Sequence, residues 1–237
     1  MNKSVPAEIE RFDLSARVQH IIMFTTFLTL SFTGWGLKYA YQDPASAWIK
    51  FWGGAKMAGL IHRIAGITML LDFAYHQFYL INQFRKGGMR PTLVPMPTDV
   101  VHVFQNFMYF FGLRKDKPSF GKFNYMQKFD YWAVYWGMFI IGTSGFFLAF
   151  PVLVSNLFPT WTLQWIWDVV IAMHSDEALL AIVFILIFHF YNEHLRPEVF
   201  PMNWMWLTGK MTTEQLKHHH RAEYDYLYGE DAKKKEQ

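Results

Sequence analysis

Cysteine is absent from the 237 residues. That excludes a disulfide scaffold, a Cys-ligated zinc site, an iron–sulfur cluster, covalent c-type haem attachment and a thiol nucleophile in this chain. Charge is scarce as well. Ordinary soluble domains carry about 25% charged residues, whereas Asp, Glu, Lys and Arg make up 17% here. With 52% hydrophobic and 19% aromatic residues, the chain is neither disordered nor collagen-like. The mean hydropathy of +0.06 is modest because polar loops and tails dilute the apolar segments.

The charges are also unevenly spread. Val18 to Leu37 is an uncharged run of 20 residues flanked by Arg17 and Lys38. That is the length a helix needs to cross a bilayer. Between Arg63 and Arg85 lie 21 residues whose only formal charge is Asp72, and Tyr131 to Phe150 is a further uncharged 20. Val169 to Asn192 has the right length but carries Asp176 and Glu177. Four transmembrane helices are expected at 17–39, 57–84, 128–150 and 169–194, followed by a cytoplasmic tail over 195–237. Together they form one all-α, integral membrane four-helix bundle spanning residues 1–237. Helices of a soluble bundle normally show a polar face; the first and third show none.

Basic residues set the orientation. Lys3, Arg11 and Arg17 precede the first span. Arg85, Lys86, Arg90, Arg114, Lys115, Lys117, Lys122 and Lys128 lie between the second and third. Arg196, Lys210, Lys217, Arg221 and Lys233 to Lys235 follow the fourth. Segment 151–168 has no Lys or Arg, so the positive-inside rule puts both termini in the cytoplasm. Trp48, Trp52, Trp161, Trp165 and Trp167 fall in the outer loops, and Trp204 and Trp206 follow the fourth span, as interfacial belts do. Thr98–Gly112 reads as a short amphipathic helix at the inner surface. The first apolar run starts late and is longer than a signal-peptide core, so no cleavable signal is expected. Glu230 to Gln237 reads as a solvated end. No nucleic-acid partner is expected.

Five histidines fall inside or at the edge of the spans: His20, His62, His76, His174 and His189, with His194 just beyond. Ionisable groups at membrane depth are costly and mark function. His62 and His76 are 14 apart, which returns them to within about 40° of one face and roughly 21 Å apart along the axis. His174 and His189 are 15 apart, about 60° off one face and roughly 22 Å apart. The second and fourth spans run in the same direction. His62 and His174 therefore share one depth, His76 and His189 another, with His20 level with His189. Two layers of facing histidines suit two stacked bis-histidine haems. The inner partner of His189 can be His20 or His76. Gly34, Gly36, Gly66, Gly142 and Gly145 allow close approach of helices or of a flat porphyrin. Arg17 and Arg63 are candidate partners of haem propionates. Asp72 precedes His76 by one turn on the same face and can relay a proton or orient an imidazole.

Arg17-x-x-His20, Leu60-Ile61-His62 with Gly66, Lys122-Phe-Asn124-Tyr-Met-Gln127-Lys128, His174…His189-Phe-Tyr191, Gly209-Lys210 and His218-His219 recur in a familiar order. In that order and spacing, the chain resembles the cytochrome b (gamma) subunit of membrane-bound formate dehydrogenases, whose relatives serve thiosulfate reductases and nickel–iron hydrogenases. The resemblance covers about residues 11–228. It implies a dihaem cytochrome b of a bacterial or archaeal inner membrane, exchanging electrons with menaquinone or ubiquinone. Such a chain is the quinone-reactive subunit of an oxidoreductase complex in a respiratory chain, and not an independent enzyme. It implies His62 and His174 as ligands of an outer haem, His20 and His189 as ligands of an inner haem, and Asn124 and Gln127 as quinone contacts. Three departures stand out: Met126 replaces a Gly, the helix-four spacing is one longer than the family's usual 14, and His76 is extra. With no cysteine, any iron–sulfur cluster or c-haem must come from a partner on the outer face, either an iron–sulfur subunit or a multihaem cytochrome c. The competing readings are His76 in place of His20, a transporter relaying protons through Asp72 and His76, and a passive membrane anchor without haem.

Overall fold

The computed structural model describes residues 5–86, 90–160, 163–197 and 199–229. Lys3, Trp161, Lys233 to Lys235 and the rest of 230–237 lie outside the described residues. Four helices have the length and composition of membrane spans: α1 (Leu14–Lys38), α3 (Gly54–Arg85), α5 (Tyr125–Ala149) and the helix Gln164–Leu195. Each begins three to five residues ahead of its expected start, at 14, 54, 125 and 164 against 17, 57, 128 and 169. At α1 and α5, polar residues at the early start satisfy first-turn amides. Asp13 Oδ1 accepts Ala16 N–H at 2.8 Å ahead of α1. Before α5, Asn124 and Gln127 cap each other reciprocally, at 2.9 Å and 3.2 Å.

The fourth span begins as α7 (Gln164–Phe184) and continues as two π-helical turns, Ile185–His189 and Tyr191–Leu195. Short helices α2 (Ala45–Phe51) and α6 (Pro151–Leu157) follow α1 and α5. Between α3 and α5 runs α4 (Pro97–Phe110), the expected amphipathic helix, with Pro97 in its first turn and Asp99 accepting Met96 N–H at 2.7 Å. The tail folds into α8 (Met205–Thr208), α9 (Thr213–His219) and α10 (Arg221–Tyr228). A two-stranded antiparallel sheet pairs β1 (Glu8–Glu10) with β2 (Lys210–Thr212).

The chain divides into two compact units. One comprises residues 18–82 and 134–203 and holds the five span histidines. Its surface is apolar: Phe24, Phe32, Leu71, Phe78, Phe139, Ile171 and Leu180 are all exposed. Its interior is small and weakly polar, with Thr33, Ala58, Ser144 and Ala65 buried. That inversion is what a lipid environment selects. Hydroxyls in α1 bond back to the preceding turn, as Thr25, Thr29 and Ser31 do at 2.8 Å, so these hydroxyls do not face hydrocarbon unsatisfied. Asp176, which interrupts the fourth apolar run, pairs with Lys38 of α1 at 3.0 Å.

The other unit comprises residues 1–17, 83–133 and 204–237. It closes around Met211 and Leu216, both buried, and the β1–β2 pair. Gly209, at φ +74°, ends α8 in the left-handed region where glycine is favoured. Lys128 at the start of α5 reaches Asp99 of α4 at 2.8 Å, with both side chains largely buried.

Candidate haem site

The unit of residues 18–82 and 134–203 contains two histidine pairs. His62 of α3 faces His174 of α7 with ring centroids 6.2 Å apart and planes at 80°. His20 of α1 faces His189 with centroids 6.4 Å apart and planes at 35°. An iron bound by two imidazoles at about 2.0–2.1 Å per bond holds the ring centroids about 6.4 Å apart. Both pairs fit that span.

The tautomers fit as well. His174 Nδ1 lies 3.1 Å from the Ile141 carbonyl and 3.3 Å from Ser144 Oγ. A carbonyl only accepts, so Nδ1 carries the proton and Nε2 keeps its lone pair for a metal. His62 Nδ1 lies 2.9 Å from Thr33 Oγ1. That hydroxyl donates to the Thr29 carbonyl at 2.6 Å and accepts from the imidazole. Such contacts fix the ring and raise its basicity as a ligand. Thr33 and Ser144 were not singled out by sequence reasoning. Their signal is weak: each is a small hydroxyl residue beside or near a glycine of the same helix.

Two glycines shape the His62–His174 pair. A Cβ at Gly34 would stand 3.2 Å from His62 Cε1, and one at Gly145 would stand 2.9 Å from His174 Cε1. These glycines leave room for the imidazole rings themselves. Gly142 instead receives Leu70 Cδ2, 2.6 Å from where a Cβ would be, and Gly66 meets only ordinary contact. At the other pair, the π-helical turn ends on His189, and the buried His194 packs against it at 5.7 Å between centroids.

His76 directs Nδ1 to Gln19 Oε1 at 2.8 Å and stacks near Tyr79 at 6.3 Å. Asp72, one turn before it, is buried, and no hydrogen bond to its carboxylate occurs among the described residues. Arg63 is exposed and bonds the Gly59 carbonyl at 3.2 Å.

The remaining candidates belong to the unit of residues 1–17, 83–133 and 204–237. There Arg17 donates to the Leu207 carbonyl at 2.9 Å. Asn124 is buried and, with Gln127, forms the α5 cap already described. No group of three or more His, Asp or Glu poised for a metal ion occurs among the described residues. Paired imidazoles on their own suit haem iron, whose other four ligands come from the porphyrin.

The profile of the prokaryotic cytochrome b561 family matches residues 11–191. The chain belongs to that family. It is a multi-pass membrane protein that binds haem b and transfers electrons. The match covers the first three spans, the fourth through Tyr191, and every histidine of the two pairs. No curated protein matches the chain.

Proposed function

We propose that this cytochrome b carries two b haems and passes electrons between a partner redox subunit on the outer face and the quinone pool of an inner membrane. The observation that carries the reading is the pair of His–His spans, 6.2 Å and 6.4 Å between ring centroids, within one apolar unit. His62 and His174 hold the outer haem, and His20 and His189 the inner one. His189 is reached by His20 on the observed centroid span, while His76 bonds Gln19, and this favours His20 as inner ligand.

Bound haem supplies a one-electron carrier at each level. The protein's part is to hold the Nε2 atoms toward the metal, to fix the His62 and His174 rings through Nδ1, and to keep water away with an apolar surround. Arg17 and Arg63 are the residues proposed for the propionates. The likeness to formate dehydrogenase gamma subunits supports an iron–sulfur subunit or multihaem cytochrome c as outer partner. It equally supports menaquinone or ubiquinone as exchangeable substrate, with Asn124 and Gln127 as its contacts.

The test is stoichiometry. Haem extracted from the purified chain should reach two per polypeptide, and a redox titration should resolve two b-type components. His62→Ala and His174→Ala should each remove the same component, and His20→Ala and His189→Ala the other. A single haem per chain, or loss of both haems from every variant, contradicts the assignment.

A further inference from the structure

In the unit of residues 1–17, 83–133 and 204–237, two cavities of about 300 Å³ and 240 Å³ share Thr92 and Lys122 in their walls. Lys122 is half-buried between them. Its ammonium makes no hydrogen bond or ion pair among the described residues and lies 5.7 Å from the Phe123 ring. Its nearest charged company includes two cations. Arg11 is buried and donates to the Lys122 carbonyl, and Arg90 lies over the Tyr226 ring at 3.9 Å. Burial first, and Arg11 second, hold the Lys122 amine below its ordinary pKa.

The carboxylates nearby are already committed. Glu223 is buried against Arg90. Asp13 accepts from Ala16 N–H and from the Gln83 amide at 3.2 Å. Glu10 also lines the smaller cavity but is an exposed residue of β1. A half-buried cation that makes no ion pair among the described residues is costly, and here open space lies on both sides of it. We propose that Lys122, with Arg90 and Arg11, binds the phosphate of an anionic phospholipid headgroup. A phosphodiester accepts a fork of hydrogen bonds from Arg and a point charge from Lys.

A lipid fits better than a free anion because of α4. Thr98, Asp99 and His102 of this helix line the larger cavity. Its other face exposes Val100, Val101, Phe104, Phe107 and Met108. Acyl chains attached to the headgroup would have that face to lie along. The basic connection also lies on the side that the positive-inside rule assigns to the cytoplasmic leaflet, where anionic lipids attract such segments.

The experiment uses the full chain in nanodiscs of phosphatidylcholine with a minority of phosphatidylglycerol, with retained lipid counted by native mass spectrometry. The parent should retain one phosphatidylglycerol at least tenfold over phosphatidylcholine. Lys122→Gln and Lys122→Met should each cut that preference to threefold or less with the haem spectrum unchanged. Lys117→Gln, a charge removed from an exposed position on the same connection, should leave it intact. Equal preference in the parent and in both Lys122 variants overturns the site. Protection by inorganic phosphate with no phosphatidylglycerol preference assigns the cavity to a free anion and overturns the lipid. Haem content is read separately, so failure here leaves the haem assignment untouched.

Discussion

Gly145→Ala offers a sharp probe of the His62–His174 pair. The added methyl would stand 2.9 Å from His174 Cε1, whereas carbon atoms rest at about 3.5–4.0 Å. The ring must therefore withdraw by roughly 0.6 Å or more, or α5 must retreat from α7. The ring is held at Nδ1 by the Ile141 carbonyl at 3.1 Å, so withdrawal strains that bond. A metal–ligand bond tolerates only about 0.2 Å. Forcing a methyl into such a site costs about 1–3 kcal/mol, which lowers haem affinity by about 5- to 150-fold. The purified variant should approach one haem per chain, with the component assigned to His62 and His174 missing. Gly34→Ala, with its methyl 3.2 Å from His62 Cε1, should lose less. Gly59→Ala meets nothing within 4 Å and should retain both haems. Full haem content and unchanged potentials in Gly145→Ala would refute the placement of His174 as a ligand.

Thr33→Val removes the acceptor at His62 Nδ1; the ring becomes a weaker donor, and the outer midpoint potential should rise by roughly 20–60 mV, the equivalent of about 0.5–1.5 kcal/mol for one electron. Potentiometric titration checks this, and Thr33→Ser should restore the parent value. His76→Ala should keep both haems; loss of the inner component there, with retention in His20→Ala, would exchange the two assignments. Asp99→Asn leaves Lys128 largely buried without its partner and should destabilise the chain by about 3 kcal/mol, read as a lowered thermal midpoint with the His→Ala haem pattern unaffected.

Span number and the α4 amphipath were legible because each rests on a periodic or compositional rule that a bilayer enforces. The tethers were not. That His174 would meet Ile141 and Ser144, and His62 Thr33, depends on which faces of α1, α3, α5 and α7 meet, and apolar-all-round helices carry no stripe to declare that. The β1–β2 pair escaped for a related reason. Glu8–Glu10 and Lys210–Thr212 are three residues each, separated by nearly the whole chain, and nothing local predicts their register. Asn124 and Gln127 show the reverse difficulty. The same Asn-x-x-Gln spacing serves a quinone carbonyl or a helix cap, and the structure displays the cap.

The spacing between His174 and His189 was readable but its consequence was not. Fifteen residues of regular α-helix leave His189 about 60° away from the face of His174. Taken alone, that offset argues against both histidines serving ligand pairs on one side of the fourth span. The π-helical turn at Ile185–His189 removes the objection. A π turn closes i to i+5 and takes up one extra residue, so the interval rotates like about 14 α-helical residues. His189 then returns to within about 40° of the His174 face, the same offset that His62 and His76 have on α3. The fifteenth residue of the interval and the π turn are therefore one feature: the π turn takes up one residue ahead of His189, leaving that ring 6.4 Å from His20. A one-residue deletion within Ile185–Phe188 should convert the turn to α-helix and keep the haem component assigned to His20 and His189. The same deletion within the α-helical stretch Ala178–Val183 would leave the π turn uncompensated, rotate His189 by about 100° and lose it. Haem content of the two deletion variants decides the matter. Retention in both, or loss in both, would show that the π turn does not set the position of His189.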